Sequence, residues 1–273
     1  MEFINLNGKM MTAANMCLRA DNHSYRYGDG LFETMKVSKG KISLADMHFQ
    51  RLYHGLSILK FHVPGQFSQQ NLEKETIDLC KRNRSEDLAR VRLSVSRGSG
   101  GLYDGDEKFQ YLIECWPLQE SARKLNEHGL VLDIFPDARK SCDVFANLKS
   151  ASHLIYVMAA RFAKENKLND CLLLNTDGRI CDATIANLFW IKDEIIFTPP
   201  LSEGCIAGVK RKYLMGRLQT TSLRLREENC EISDLENADE LFLTNAIQGI
   251  RWVKQFRNKS YTNSITGKIF QLG

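Results

Sequence analysis

Cys171-Leu172-Leu173-Leu174, then Asn175-Thr176-Asp177-Gly178, then Arg179-Ile180-Cys181-Asp182-Ala183-Thr184-Ile185-Ala186-Asn187-Leu188-Phe189-Trp190 read in succession as a strand, a turn and further strands. Short apolar runs broken by Asn, Asp and Gly are the punctuation of paired strands. Inside this block Asp182 stands five residues ahead of Asn187, among apolar positions. If buried there, an acid and an amide need hydrogen-bond partners. The plain alternative is a strand end with its charge in solvent.

Working outward toward the C-terminus, Ile195-Ile196-Phe197-Thr198 adds a strand and Pro199-Pro200 ends it. Gly204-Cys205-Ile206-Ala207-Gly208-Val209-Lys210 then places small residues at a helix start, expected from about Ile206. Backbone N–H groups at such a start suit a phosphate; an ordinary helix start after a Pro-Pro turn is the plainer reading. Lys210-Arg211-Lys212 reads as the solvated face of that helix.

Toward the N-terminus, a helix is expected after Lys149 on Leu154, Val157, Met158, Arg161 and Phe162, and a strand over 130–135. The polar stretch 116–128 reads as a linker, which divides the chain into domains 1–119 and 120–273. In the first domain Asn7-Gly8 signals a hairpin turn, and Leu31–Val37 alternates as a half-buried strand. Met47, Leu52, Leu56 and Leu59 suit a helix, and another is expected over 69–81. Strands are expected over 90–96 and 110–113, with a flexible loop at Gly98, Gly100, Gly101 and Gly105 between them.

Bulk properties exclude several classes. The net charge is +4 with both signs interspersed, unlike the concentrated basic stripe of a nucleic-acid binder. Cys17, Cys80, Cys115, Cys142, Cys171, Cys181, Cys205 and Cys230 are scattered without a CxxC pair, so free thiols in a reducing compartment are expected. The start, Met-Glu-Phe-Ile-Asn-Leu-Asn-Gly, has no secretory pattern, and no apolar run approaches a membrane span. A cytoplasmic protein is expected. The six histidines show no metal-ligand spacing, and His48 and His54 read as surface or cap positions on a helix.

Six segments occur in order along nearly the whole chain: Tyr27-Gly28-Asp29-Gly30-Leu31-Phe32-Glu33-Thr34, residues 44–52, Lys149, Asp182 through Phe189, Thr198-Pro199-Pro200-Leu201 through Val209, and Asp239 through Ala246. Together they resemble the class IV aminotransferase family, the fold-type-IV enzymes of pyridoxal 5′-phosphate (PLP). The family includes branched-chain and D-amino-acid aminotransferases and aminodeoxychorismate lyase. The resemblance implies an α+β, two-domain fold, with an N-terminal α/β sandwich lobe and a C-terminal strand-rich pseudo-barrel lobe. It also implies a homodimer acting on small molecules.

Carried over residue by residue, the resemblance makes Lys149 the lysine that holds PLP and serves as base. Asp182 would pair with the pyridine nitrogen, with Asn187 in the same signature. Arg51, the amides of Gly208 and Val209, and Thr244 and Asn245 would hold the phosphate. Phe32, Glu33 and Thr34 would lie toward the substrate, and Arg97 is a candidate grip on a substrate carboxylate, or else an exposed loop charge. The family usually has glutamate where this chain has Asp182, one methylene shorter, so the ring contact must be closer-set, longer or water-mediated.

The implied reaction is the lyase conversion of 4-amino-4-deoxychorismate to 4-aminobenzoate and pyruvate, or amino-group transfer between an amino acid and a 2-oxo acid. The block Leu243-Thr244-Asn245-Ala246-Ile247-Gln248-Gly249-Ile250 and the segment Arg97-Gly98-Ser99-Gly100-Gly101 resemble the lyase versions. Lyases often continue with Arg-Gly-Tyr, where this chain has Leu102-Tyr103-Asp104. A non-catalytic relative that keeps the fold and binds PLP is the third reading.

Overall fold

The computed structural model describes residues 1–16, 18–103 and 108–272. Cys17, Asp104 and Gly105, which enter the readings above, lie outside the described residues. Contacts divide the chain into two compact units: Met1–Glu120 with Leu148–His153, and Ser121–Asn147 with Leu154–Gly273. By these contacts Glu120 and the short segment holding Lys149 group with the first unit.

In the first unit, β1 (Phe3–Leu6) and β2 (Lys9–Thr12) form a hairpin. Its turn residues Asn7 and Gly8 have φ of 52° and 82°, the left-handed pair that a tight hairpin turn needs. Next come α1 (His23–Tyr27), β3 (Gly30–Ser38), β4 (Lys41–Ile42), α2 (Ala45–Ile58), α3 (Gln69–Arg82), β5 (Leu88–Ser96) and β6 (Gln110–Pro117). The strands make one antiparallel sheet in the order β2-β1-β6-β5-β3-β4. Because strand side chains alternate, Leu31, Met35, Val37, Val91, Leu93 and Ile113 share one face, which packs on Phe49, Leu52 and Leu56 of α2 and Leu72 and Leu79 of α3. Burying each such side chain contributes roughly 1.5–3 kcal/mol.

The second unit contains β7 (Leu130–Ile134), α4 (Leu154–Glu165), β8 (Asp170–Leu174), β9 (Ile180–Ala183), β10 (Asn187–Lys192), β11 (Ile195–Thr198), α5 (Val209–Leu218), β12 (Arg224–Glu227), α6 (Ile232–Asn237), β13 (Glu240–Asn245), β14 (Gly249–Phe256), β15 (Lys259–Ser260) and α7 (Ser264–Phe270). Its mixed sheet runs β12-β11-β10-β13-β14-β7-β8-β9, with β15 on β14. The β11–β12, β14–β7 and β7–β8 pairs are parallel.

Three expectations are corrected here. The buried side of α4 is Tyr156, Ala159 and Ala163, while Leu154, Val157 and Met158 are exposed. Arg211 is not on a solvated face: it is 5 % exposed, donating to the Pro199 carbonyl and to Glu227. The helix α5 starts at Val209 rather than Ile206, because Gly208 is still extended (φ −65°, ψ 130°). Among the described residues no helix is long and apolar enough to cross a membrane, and the seven described cysteines are free.

Candidate active site

In the first unit, the start of β3 carries a short companion strand. Phe32 N–H donates to the Lys149 carbonyl at 2.9 Å, and Ala151 N–H donates to the Gly30 carbonyl at 2.8 Å. Leu31 and Ser150 pair antiparallel between them. The Lys149 backbone is thereby fixed at the sheet, and its Nζ lies 4.6 Å from the centroid of the Phe32 ring. The Arg92 guanidinium lies over the same ring at 3.7 Å, and His153 meets it edge-on at 5.3 Å. A ring face attracts cations, so Phe32 restrains the lysine amine on one side. Thr34, two residues on along the same face, is half-buried.

The opposite face of β3 holds Glu33 among the buried hydrophobics. Its carboxylate accepts from His48 Nδ1 at 2.7 Å and from Arg51 Nε and Nη2 at 2.8 and 2.6 Å. His48 is therefore a buried partner, 1 % exposed, and not the surface or cap residue expected of it; His54 is exposed. Burial alone would push the Glu33 carboxyl up, but the Arg51 charge and the bonds from His48 and Arg51 outweigh it and hold it at about 2, against an ordinary 4.5.

A depressed carboxyl stabilises the fold fully above its unfolded value and loses that contribution as pH falls toward its folded value. The wild type should therefore exceed Glu33→Gln by about 3 kcal/mol near neutrality. That difference should shrink as pH falls from about 4.5 to about 2. Urea midpoints of both proteins across that range check it.

Arg97 is held inward. Its Nε lies 3.0 Å from Asp29, it donates to the Leu59 carbonyl, and its guanidinium stacks over Phe61 at 4.1 Å. With the side chain 16 % exposed, it is not a free loop charge.

In the second unit, Asp182 is buried with a full set of donors. Asn187 Nδ2 donates to Oδ1 at 3.2 Å; Tyr156 OH and Ile206 N–H donate to Oδ2, each at 3.0 Å. The Lys140 ammonium lies 3.6 Å from Oδ2 and also donates to the carbonyls of Ala146 and Gly204. Burial pushes the Asp182 carboxyl up, opposed first by Lys140 and then by the Ile206 N–H and Tyr156 OH. Burial, together with Asp182, pushes the Tyr156 phenol well up, so Tyr156 stays a donor.

Asn187 also donates to the Ile206 carbonyl at 2.8 Å, which ties β10 to the entry of α5. A Cβ built on Gly208 would overlap Asn187 Oδ1, so this approach requires glycine. Gly208→Ala should lower stability by about 1–3 kcal/mol through overpacking, and adding Asn187→Ser should recover part of the loss. Thermal midpoints of the single and double variants decide it.

Gly208 gives α5 no side-chain cap, and the first turn has no acidic residue, so the positive helix end is not neutralised by its own side chains. Thr244, paired with Asn187 across β10 and β13, has a buried hydroxyl without a hydrogen-bond partner among the described residues. Asn245 accepts from the N–H groups of Ile247 and Gln248, so its side-chain oxygen shapes the turn after β13.

These features fit PLP: an uncapped helix start and an orphaned hydroxyl for a phosphate, and a buried carboxylate for a ring nitrogen. Sequence reasoning missed Tyr156, Lys140, His48 and Arg92. Glu33 was placed toward the substrate, although its sharing of the inward face with Leu31, Met35 and Val37 was a legible sign of a buried ion pair.

A model of the family described as Amino-transferase class IV matches residues 30–256. An aminodeoxychorismate lyase of Bacillus subtilis is 29% identical over 248 residues, covering 89% of this chain and 83% of its own length. A branched-chain amino acid aminotransferase of Escherichia coli superposes with a TM-score of 0.89 at 21% identity, over 99% of this chain and 92% of that one. A hypothetical aminotransferase from Mycobacterium tuberculosis, in a PLP-bound form, gives a TM-score of 0.85 at 18% identity, over 99% and 96%. With the family match running from the first residue of β3 to the last of β14, the chain belongs to the class IV aminotransferases.

Proposed function

We propose that this protein is a PLP-dependent enzyme acting as 4-amino-4-deoxychorismate lyase, with Lys149 as the residue that carries the cofactor. The observation that carries the PLP reading is the placement of Lys149: a lysine locked by backbone bonds to β3, its amine poised on the Phe32 ring. Bound PLP supplies an electron sink for the bonds of an attached amino compound. Asp182, held by Asn187, Tyr156, Ile206 N–H and Lys140, would anchor the ring nitrogen. Arg51, the Gly208 and Val209 amides and the Thr244 hydroxyl would hold the phosphate, with Asn245 keeping the adjoining turn. Lys149 Nζ is the group to take the proton from the substrate carbon bearing the amino group. Phe32 and Thr34 would bound the substrate side.

The lyase reading draws on the likeness to the Bacillus subtilis enzyme. A second reading, a branched-chain or D-amino-acid aminotransferase, is favoured by Leu102-Tyr103 after the glycine loop, where the lyases often have arginine. A homodimer is part of the proposal: Leu154, Val157 and Met158 stand exposed on one side of α4, at the i, i+3, i+4 spacing a partner helix would cover.

The test is turnover and spectrum together. Purified PLP-loaded protein should release 4-aminobenzoate and pyruvate from 4-amino-4-deoxychorismate while its visible band survives a panel of L- and D-amino acids. Stable bleaching of that band by one donor, without release of 4-aminobenzoate, would establish an aminotransferase instead. A band unmoved by every donor, with no product, would establish the non-catalytic relative.

A further inference from the structure

Glu33 and His48 have no part in the chemistry above, yet they are among the most deeply buried polar groups of the first unit, each 1 % exposed. A carboxylate set between Leu31 and Met35 on the inward face of β3 is unfavourable unless paired and hydrogen-bonded. His48 and Arg51 stand three positions apart on α2, so both side chains reach the same point on the strand. The glutamate oxygens take the Nε–Nη2 edge of the guanidinium in a forked pair, the strongest and most directional arrangement an arginine makes. His48 donates its Nδ1 hydrogen to the oxygen that also accepts from Nη2, because an ionised carboxylate can only accept. Glu33 and His48 are sealed in, while the Arg51 side chain is 14 % exposed against 2 % and 1 % for theirs. One edge of the guanidinium is thus fixed from below, and the Nη1 side is turned away from Glu33.

We propose that Glu33, backed by His48, is a positioning residue that locks the Arg51 guanidinium so that its outer edge meets the phosphate of the cofactor. This rests on the reading of Arg51 as a phosphate-binding residue. An arginine that must be immobilised on binding gives up rotamer freedom at that moment; one already clamped has lost it on folding, so the anion meets a preorganised donor set. Two other roles predict different behaviour. A carboxylate that only fastened β3 to α2 would affect every ligand of the site alike. One that acted only by its charge would weaken the attraction for phosphate, and its removal would strengthen phosphate binding.

Affinities of the cofactor-free protein for PLP and for pyridoxal, which lacks the phosphate, separate these roles. They are measured by equilibrium titration for wild type, Glu33→Gln and His48→Gln. Wild type should prefer PLP strongly. Glu33→Gln should lower that preference by about tenfold while its affinity for pyridoxal changes by no more than about threefold. His48→Gln should move the ratio the same way by less, and it decides the matter if Glu33→Gln does not fold. Equal weakening of both ligands, an unchanged ratio or a raised preference for PLP overturns the proposal. A wild type that binds PLP and pyridoxal equally overturns it while leaving the PLP reading intact. Failure of wild type to bind either ligand removes both.

Discussion

Lys149→Ala should leave a folded protein that no longer retains PLP through denaturation after borohydride reduction, and whose turnover falls by at least about a hundredfold. The bonds that place this segment are made by backbone atoms, Phe32 N–H to the Lys149 carbonyl and Ala151 N–H to the Gly30 carbonyl, so alanine keeps them. The substitution removes the amine over the Phe32 ring, among its other contacts, and that ring contact contributes about 0.5–2 kcal/mol. The loss is therefore chemical before it is structural. Lys140, the buried lysine beside Asp182, is no substitute, since its Nζ is engaged by the carbonyls of Ala146 and Gly204. Bound label and thermal midpoint, measured on the same preparation, check both halves of this expectation. A large fall in midpoint would mean that the side chain supports the fold more than its contacts imply.

Asp182→Ala should have the largest effect on stability. Deleting the carboxylate leaves the Lys140 ammonium without its counterion at 7 % exposure and strips the acceptor from the Tyr156 hydroxyl and the Ile206 N–H. Removing one partner of a buried ion pair costs about 3–5 kcal/mol, which for a chain of this size lowers the thermal midpoint by roughly 10 °C. Asp182→Asn keeps an acceptor but not the charge and should fall in between. Lys140→Met added to Asp182→Ala should recover part of the loss, because the uncompensated cation goes with it. Additive losses in the double variant would show that the two groups do not act as a pair.

The contrast between these two lysines shows where sequence reading stops. The segments carrying the family resemblance pointed to Lys149, Asp182 and Gly208, and strand alternation located β3 and β5 closely. Helix α3 was expected over 69–81 and runs Gln69–Arg82. Helix α4 misled for a physical reason: its apolar spacing describes the side holding Leu154, Val157 and Met158, whereas the side packed in its own unit uses Tyr156 and two alanines. Periodicity finds an apolar stripe but not what covers it. Lys140 and Arg211 were illegible because a buried cation looks like any surface cation until its partners arrive. Those of Lys140 lie at Ala146, Gly204 and Asp182, and those of Arg211 at Pro199 and Glu227. His48 was misread in the same way, its partner Glu33 lying on a different element.

The attachment point of the cofactor tests the central claim most directly. PLP-loaded wild type is reduced with borohydride, digested and mapped by mass. The predicted result is one modified peptide with the pyridoxyl group on Lys149. Modification at another lysine, or a folded protein that takes up no label, would contradict it.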